Sequence, residues 1–183
     1  TLTMRSDGSS RLAPGNKYHV FPGVAAGWNI TKESFWNPDG VFNNLKLRAS
    51  YATVGNTAIS PYQTLGGLSS LPYNFGADNV TGAFPTSVPN PDLTWEYTST
   101  ANIGLDFALL QNRISGSLEV YKEFTNSLLL PETLPPTAGI PNAVLTNIGK
   151  TQNKGIELQI SSENIISKDP MGFSWSTDLN LSI

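Results

Sequence analysis

The sequence contains no cysteine and only one histidine, His19, among its 183 residues. Without cysteine there is no disulfide framework, no thiolate nucleophile and no Cys-ligated metal. One histidine cannot supply a His-rich metal site, and the Gly-x-Ser-x-Gly motif of a serine nucleophile is missing. Residues 37–40 (NPDG) begin like a calcium loop, but Arg48 stands where the bidentate Glu is required, which favours a turn. We therefore expect no catalytic residue, no metal and no cofactor.

Charged residues are also scarce, at 14 % of the chain, and the formal net charge is −3. A nucleic-acid-binding protein needs a basic stripe that neutralises the phosphate backbone. This composition does not provide one. Nucleic acid is therefore not expected as a partner.

Long apolar runs are missing too, since no segment approaches the ~18–20 apolar residues that a membrane helix requires. Strands that cross a membrane need only ~10 residues in which apolar and polar side chains alternate. The sequence thus excludes helical membrane spans but leaves a strand barrel open.

What the chain has in abundance is a period of two, as in residues 45–51 (LKLRASY) and 102–109 (NIGLDFAL). Such alternation is typical of half-buried strands. We predict an all-β chain of seven antiparallel strands, each paired with its sequence neighbour, and a helical turn within residues 32–44. The predicted strands lie at 2–5, 23–31, 45–54, 100–110, 113–127, 154–163 and 173–183.

The alternation also predicts two faces for the sheet. Glu119, Glu157 and Asp178 should line the concave face. The convex, lipid-facing surface should carry the apolar members, namely Leu105, Phe107, Leu118, Val120, Leu158, Ile160, Leu179 and Leu181.

The connections between these strands differ greatly in length. Gln111-Asn112 and residues 167–172, with Asp169-Pro170, favour short turns. Residues 57–98 and 131–153 are long stretches rich in Pro, Gly and Asn, and they should lie together at the other end. Long unpatterned loops are uncommon in compact soluble domains, whereas short turns at one end and long loops at the other are typical of outer-membrane barrels.

Several strings resemble segments of the SusC/RagA-like TonB-dependent outer-membrane transporters, and they occur in that family's order. The most specific are NPDLTWE at 90–96 and NIGLD at 102–106. The others are RSDGSSR at 5–11, FPGV at 21–24, GW at 27–28, LKLRASY at 45–51, GN at 55–56, NIG at 147–149, NKGIEL at 153–158, and finally Phe173, Trp175, Ser176 and Asn180.

This resemblance implies that residues 1–183 form the C-terminal part of a large transmembrane outer-membrane β-barrel, made of antiparallel up-and-down strands. The family's plug domain, its TonB-contacting segment and the strand that closes the barrel are not found in this sequence, so a fragment is expected. The implied function is import of oligosaccharides or peptides across the bacterial outer membrane. The implied partners are membrane lipid, a SusD-like lipoprotein lid, and TonB through the missing plug.

Aromatic residues give the only candidate binding site. Trp28, Tyr51 and Trp175 suit a membrane interface. Tyr62, Tyr73, Phe75 and Trp95 lie in or beside the first long loop, where their rings could bind substrate, although packing within the loop is the simpler interpretation.

Two alternatives to the transporter remain: a soluble β-sandwich carbohydrate-binding module and a β-rich hydrolase fragment.

Overall fold

The computed structural model describes residues 1–37, 40–140, 142–169 and 171–183. No helix in these ranges is long and apolar enough to cross a membrane. Two short 3₁₀ helices occur at Ile30–Lys32 and Pro136–Ala138. The strands are β1 (Leu2–Gly8), β2 (Tyr18–Asn29), β3 (Phe42–Asn56), β4 (Leu68–Phe75), β5 (Asp78–Pro85), β6 (Glu96–Leu109), β7 (Ile114–Glu132), β8 (Val144–Ile165) and β9 (Trp175–Ser182).

Seven of these strands form one antiparallel sheet in the order β1-β2-β3-β6-β7-β8-β9, and β4 pairs with β5 in a separate hairpin. Apart from the β4–β5 hairpin, each strand is thus hydrogen-bonded to the next strand along the chain. All seven predicted strands are confirmed, and so is the all-β fold class. The predicted helical turn lies slightly earlier than expected, at Ile30–Lys32. Pro38, Asp39 and Pro170, which belong to two predicted turns, lie outside the described residues.

The predicted turn at Gln111-Asn112 is confirmed, although the connection between β6 and β7 has four residues, 110–113. Gln111 and Asn112 have φ values of 60° and 65°, as the hairpin turn that matches strand twist requires. Their backbone N–H groups both donate to Oδ1 of Asn43, at 2.6 and 3.3 Å. An amide from the neighbouring strand therefore satisfies the donors that the left-handed turn leaves open.

The first long loop was wrongly expected to lack strands, because residues 68–85 form the β4–β5 hairpin. Pro72 lies in the middle of β4. A proline at such a position would disrupt a strand that has a neighbour on each side. A two-stranded ribbon consists only of edges, so proline is tolerated there. Gly76, with a φ of 66°, supplies the left-handed residue of the turn.

The second long loop is shorter than predicted, since β7 continues to Glu132 and β8 begins at Val144. The register shifts on both sides of Leu128, and Ser127 has a φ of 55°. A bulge of this kind inserts an extra residue and breaks the period of two. Apolar and polar side chains therefore stop alternating before the two strands end, and the predicted loop was too long. The connection between β7 and β8 is residues 133–143.

The antiparallel order places the connections at two ends. One end, here called the loop end, carries residues 9–17, 57–95 and 133–143; the turn end carries residues 30–41, 110–113 and 166–174. The prediction that both long connections share one end is confirmed.

The strand register builds a continuous apolar face. One row of directly paired residues crosses six strands: Trp28, Leu47, Leu105, Leu118, Leu158 and Leu181. Within the row Trp28 is 49 % exposed, Leu118 39 % and Leu181 49 %. In the part of the chain that the structure describes, no second sheet covers them. A β-sandwich would bury this face between two sheets, so the sandwich alternative does not fit.

The opposite face is polar, and it carries Glu119, Glu157 and Asp178 as predicted. Arg48 bridges two strands there, donating to both carboxylate oxygens of Asp106 at 2.8 Å and to Oε1 of Glu119 at 2.5 Å. Gly104 lies beneath this bridge, where a Cβ would meet Arg48 Nη2 at 3.1 Å. The missing side chain leaves room for the guanidinium to cross β6.

Candidate functional site

The loop end is held together by a small core of buried side chains. Leu12 comes from the connection after β1, Ile59 and Leu93 from residues 57–95, and Phe21 and Trp95 lie at or next to strand ends. Tyr97, Leu129 and Leu145 pack against this core. Segments distant in sequence thus converge on one apolar cluster, here called the loop core, which fixes the base of the long connections.

The loop core forms where β2 parts from β3. Their ladder stops at Gly23 and Ala52, although β2 begins at Tyr18 and β3 continues to Asn56. Phe21 and Trp95 fill the gap, with their rings at 70° and centroids 5.5 Å apart. Gly55 leaves the room they need, because a Cβ there would collide with the Phe21 ring and approach Trp95 Cε3 at 2.9 Å.

Trp95 therefore packs within the loop core, and this burial favours a structural role over the predicted ligand contact. Its side chain is only 7 % exposed, and its Nε1 donates to the Lys17 carbonyl at 3.3 Å. A ring covered on this scale cannot stack on a sugar without unfolding the cluster around it.

Two asparagine side chains tie the NPDLTWE segment to the neighbouring strands, and we call this pair the rim latch. Asn147 Oδ1 accepts the Thr94 N–H at 2.9 Å, while its Nδ2 donates to the carbonyls of Thr94 at 3.1 Å and Ser127 at 2.8 Å. Asn90 Nδ2 donates to the Leu145 carbonyl at 2.8 Å. These amides join Asn90 and Thr94, which lie outside the strands, to the paired strands β7 and β8.

The rim latch gives a first prediction. Asn147→Asp replaces a donor of two hydrogen bonds with an oxygen that faces two carbonyls, so we expect a loss of about 2 kcal/mol in unfolding free energy. Residues 90–95 should also be cleaved faster by protease. Thermal unfolding and limited proteolysis of the full-length parent protein measure both effects. The matched control is Asn153→Asp, an exposed position on the same strand, and equal effects from both variants would contradict the latch.

The hairpin presents Tyr73 and Phe75 together. Their rings meet edge to face with centroids 4.9 Å apart, and the side chains are 59 % and 67 % exposed. Leu71, Val80 and Phe84 complete one apolar face around an open groove of about 430 Å³. This face has the exposed aromatic surface that a binding site requires.

Tyr62 lies in a different cleft of the loop end, near residues 10–17, and is 79 % exposed. The four predicted aromatics thus divide into three places: Tyr73 with Phe75, Tyr62 by itself, and Trp95 in the loop core. Sequence reasoning did not identify Asn90 and Asn147. Their position within family-like strings was the only sequence signal for them.

Comparison with known proteins agrees with this architecture. The family model described as "TonB dependent receptor-like, beta-barrel" matches residues 2–183. TonB-dependent receptor P3 of Formosa agariphila is 41 % identical over 182 residues, which cover 100 % of this chain and 18 % of that protein. TonB-dependent receptor SusC of Bacteroides thetaiotaomicron is 34 % identical over 186 residues, which cover 99 % of this chain and 18 % of that protein.

A solved structure of the RagAB peptide importer in its closed-closed state superposes with a TM-score of 0.87 at 26 % identity, covering 99 % of this chain and 19 % of that one. The chain thus spans about a fifth of the length of the relatives it matches. Its seven-stranded sheet, with one apolar and one polar face and long connections at one end, is a segment of such a barrel. The chain belongs to the TonB-dependent receptor family and forms part of its β-barrel.

Proposed function

We propose that the parent protein imports oligosaccharides or peptides across the bacterial outer membrane, and that residues 1–183 supply part of its barrel wall and outer loops. The observation that carries this proposal is the row from Trp28 to Leu181, an uninterrupted apolar band on a sheet whose other face is polar. A barrel wall needs this division, with lipid outside and water inside. The wall has no catalytic role in this proposal.

The limits of the apolar face support its placement in a bilayer. Toward the loop end, Tyr51 belongs to a row that begins with Leu2 and Val24 and continues through Ala101 to Lys122 and Lys154. Tyrosine and lysine suit the membrane interface, where a polar tip reaches water and an apolar stem stays in lipid. In this arrangement the loop end faces outside the cell and the turn end faces the periplasm.

The hairpin is the feature best suited to meet a partner or a substrate. Tyr73 and Phe75 lie within the loop-end connection, on a ribbon with an exposed apolar face. We propose that they contact the substrate or a SusD-like lipoprotein lid. Energy from TonB reaches the transporter through a plug that belongs to the remainder of the parent protein.

The test of this function is removal of the hairpin from the full-length parent, replacing residues 68–85 with a two-residue turn. The hairpin base suits this change, since the Thr86 N–H already donates to the Gly67 carbonyl at 2.8 Å. We expect uptake and co-purification of the lid to fall together, while heat resistance in detergent is retained because the loop core is spared.

A double variant, Tyr73→Ser with Phe75→Ser, serves as the finer version because it keeps the ribbon and removes only its rings. The matched control is Asn74→Ser, on the same strand and also exposed. Normal uptake and normal lid association in both the deletion and the double variant would remove the hairpin from the transport mechanism.

A further inference from the structure

Tyr62 occupies a backbone position that normally suits glycine or asparagine. The Gln63 N–H donates to the Ser60 carbonyl at 3.2 Å, which closes a turn with Pro61 second and Tyr62 third. Tyr62 has a φ of 62°. Proline followed by a left-handed residue is the pattern of a type II turn, in which glycine or asparagine usually fills the third place.

A bulky residue is strained in this conformation, and packing does not offset that strain here. The Tyr62 side chain is 79 % exposed, so its ring gains little from burial within the chain. Strain of this kind is characteristic of sites that meet a ligand. An exposed tyrosine held in a strained turn is therefore a candidate contact for a molecule outside the chain.

The ring borders a cleft of about 470 Å³ between residues 10–17 and residues 61–65, with Pro91 on its wall. Two cations, Arg11 and Lys17, line this cleft, and no aspartate or glutamate is among its lining residues. Arg11 Nη1 donates to the Ile59 carbonyl at 2.8 Å, which fixes one edge of the guanidinium.

The charge of these cations is not neutralised within the described ranges. Ion pairs there involve Arg5 and Arg48, whereas neither Arg11 nor Lys17 has a carboxylate partner. Two cations beside an exposed aromatic ring match a ligand that carries a carboxylate next to a ring or an apolar group.

We propose that this cleft is a binding subsite for a carboxylate-bearing ligand, with the carboxylate against Arg11 and Lys17 and the adjoining group on Tyr62. The inference rests on the proposed import function, because the ligand would be part of a substrate that arrives at the loop end. An acidic sugar and an acidic peptide share this chemistry, and the experiment separates them.

Binding is measured by calorimetry on the full-length parent in detergent, with its lid protein. The probes are trigalacturonic acid against neutral galactotriose, and Glu-Glu-Glu against Gln-Gln-Gln. We expect at least one acidic probe to bind about 10-fold more tightly than its neutral counterpart at low salt, and the difference to shrink as salt rises. The pair that shows the difference identifies the source of the carboxylate.

The variants separate binding from folding. Tyr62→Gly relieves the turn, so thermal stability should hold or rise while affinity for the acidic probe falls about fivefold. Lys17→Gln should lower that affinity about 5- to 10-fold and leave neutral probes unchanged. Lys168→Gln, an exposed lysine at the turn end, is the charge-matched control and should have no effect.

Equal affinity for acidic and neutral probes, or wild-type affinity in Tyr62→Gly, would overturn the subsite. In either case continued uptake of a neutral substrate by the parent would leave the import function standing. Cells that import no oligosaccharide or peptide at all would instead contradict the import function itself.

Discussion

Leu158→Arg is expected to lower the unfolding free energy of the full-length parent by about 2–4 kcal/mol in a phospholipid bilayer. Leu158 lies within the apolar row, paired with Leu118 on one side and Leu181 on the other. Ile156 and Ile160 flank it on the same strand face, so it lies near the middle of the band. A guanidinium there would have to leave hydrocarbon or draw water into it.

The matched control is Gln159→Arg, one residue further along β8 and on the polar face. Because strand side chains alternate, this arginine would point into the water-filled lumen, and we expect a change within about 0.5 kcal/mol. Urea unfolding of both variants in vesicles measures the difference. Equal losses at the two positions would mean that the apolar face is covered by protein and does not face lipid.

The main strands were predictable because every residue of a barrel strand faces either lipid or water. Apolar and polar side chains therefore alternate wherever the strand pairing is regular. Residues 102–109 and 156–161 follow this alternation without interruption, and their predicted faces match the register. The family-like strings added the order of the segments and the size of the barrel, which periodicity cannot give.

The strand predictions were wrong where apolar and polar side chains stop alternating within a strand. The bulge around Ser127 shifts the register within a strand that continues beyond it. Pro72 lies in β4, a strand that is paired on one side only, with β5. Both features remove the local alternation without ending the extended backbone. A sequence pattern therefore ends earlier than the strand that contains it.

The candidate site was less predictable because its contacts join residues far apart in sequence. The Trp95 side chain bonds to Lys17, 78 residues away, and the Asn147 amide bonds to Thr94, 53 residues away. Composition can nominate an exposed loop aromatic, but only the packed structure separates buried Trp95 from exposed Tyr73 and Phe75. All three are aromatic, so their chemical class alone does not distinguish them.

Trp95→Ala should have an effect at least as large as that of Leu158→Arg. We expect a loss of about 3–5 kcal/mol in the stability of the loop end. The change removes a buried indole from contact with Phe21 and leaves a cavity beside Gly55, a position with no side chain to fill it. Residues 9–17 and 57–95 should then lose their common anchor. Hydrogen exchange and limited proteolysis of those segments in the full-length parent measure the loss directly.

Trp95→Phe keeps an aromatic ring in the loop core, but it removes the Nε1 donor to the Lys17 carbonyl and part of the indole volume. We expect this variant to lose less, with about 1 kcal/mol of its loss due to the missing hydrogen bond. Substrate binding serves as the second measurement. If Trp95→Ala abolished binding while exchange and proteolysis of both segments stayed at wild-type rates, Trp95 would be a ligand contact and the loop core would need another anchor. If hydrogen exchange of both segments rises and binding falls in proportion, Trp95 acts by holding the loops in place.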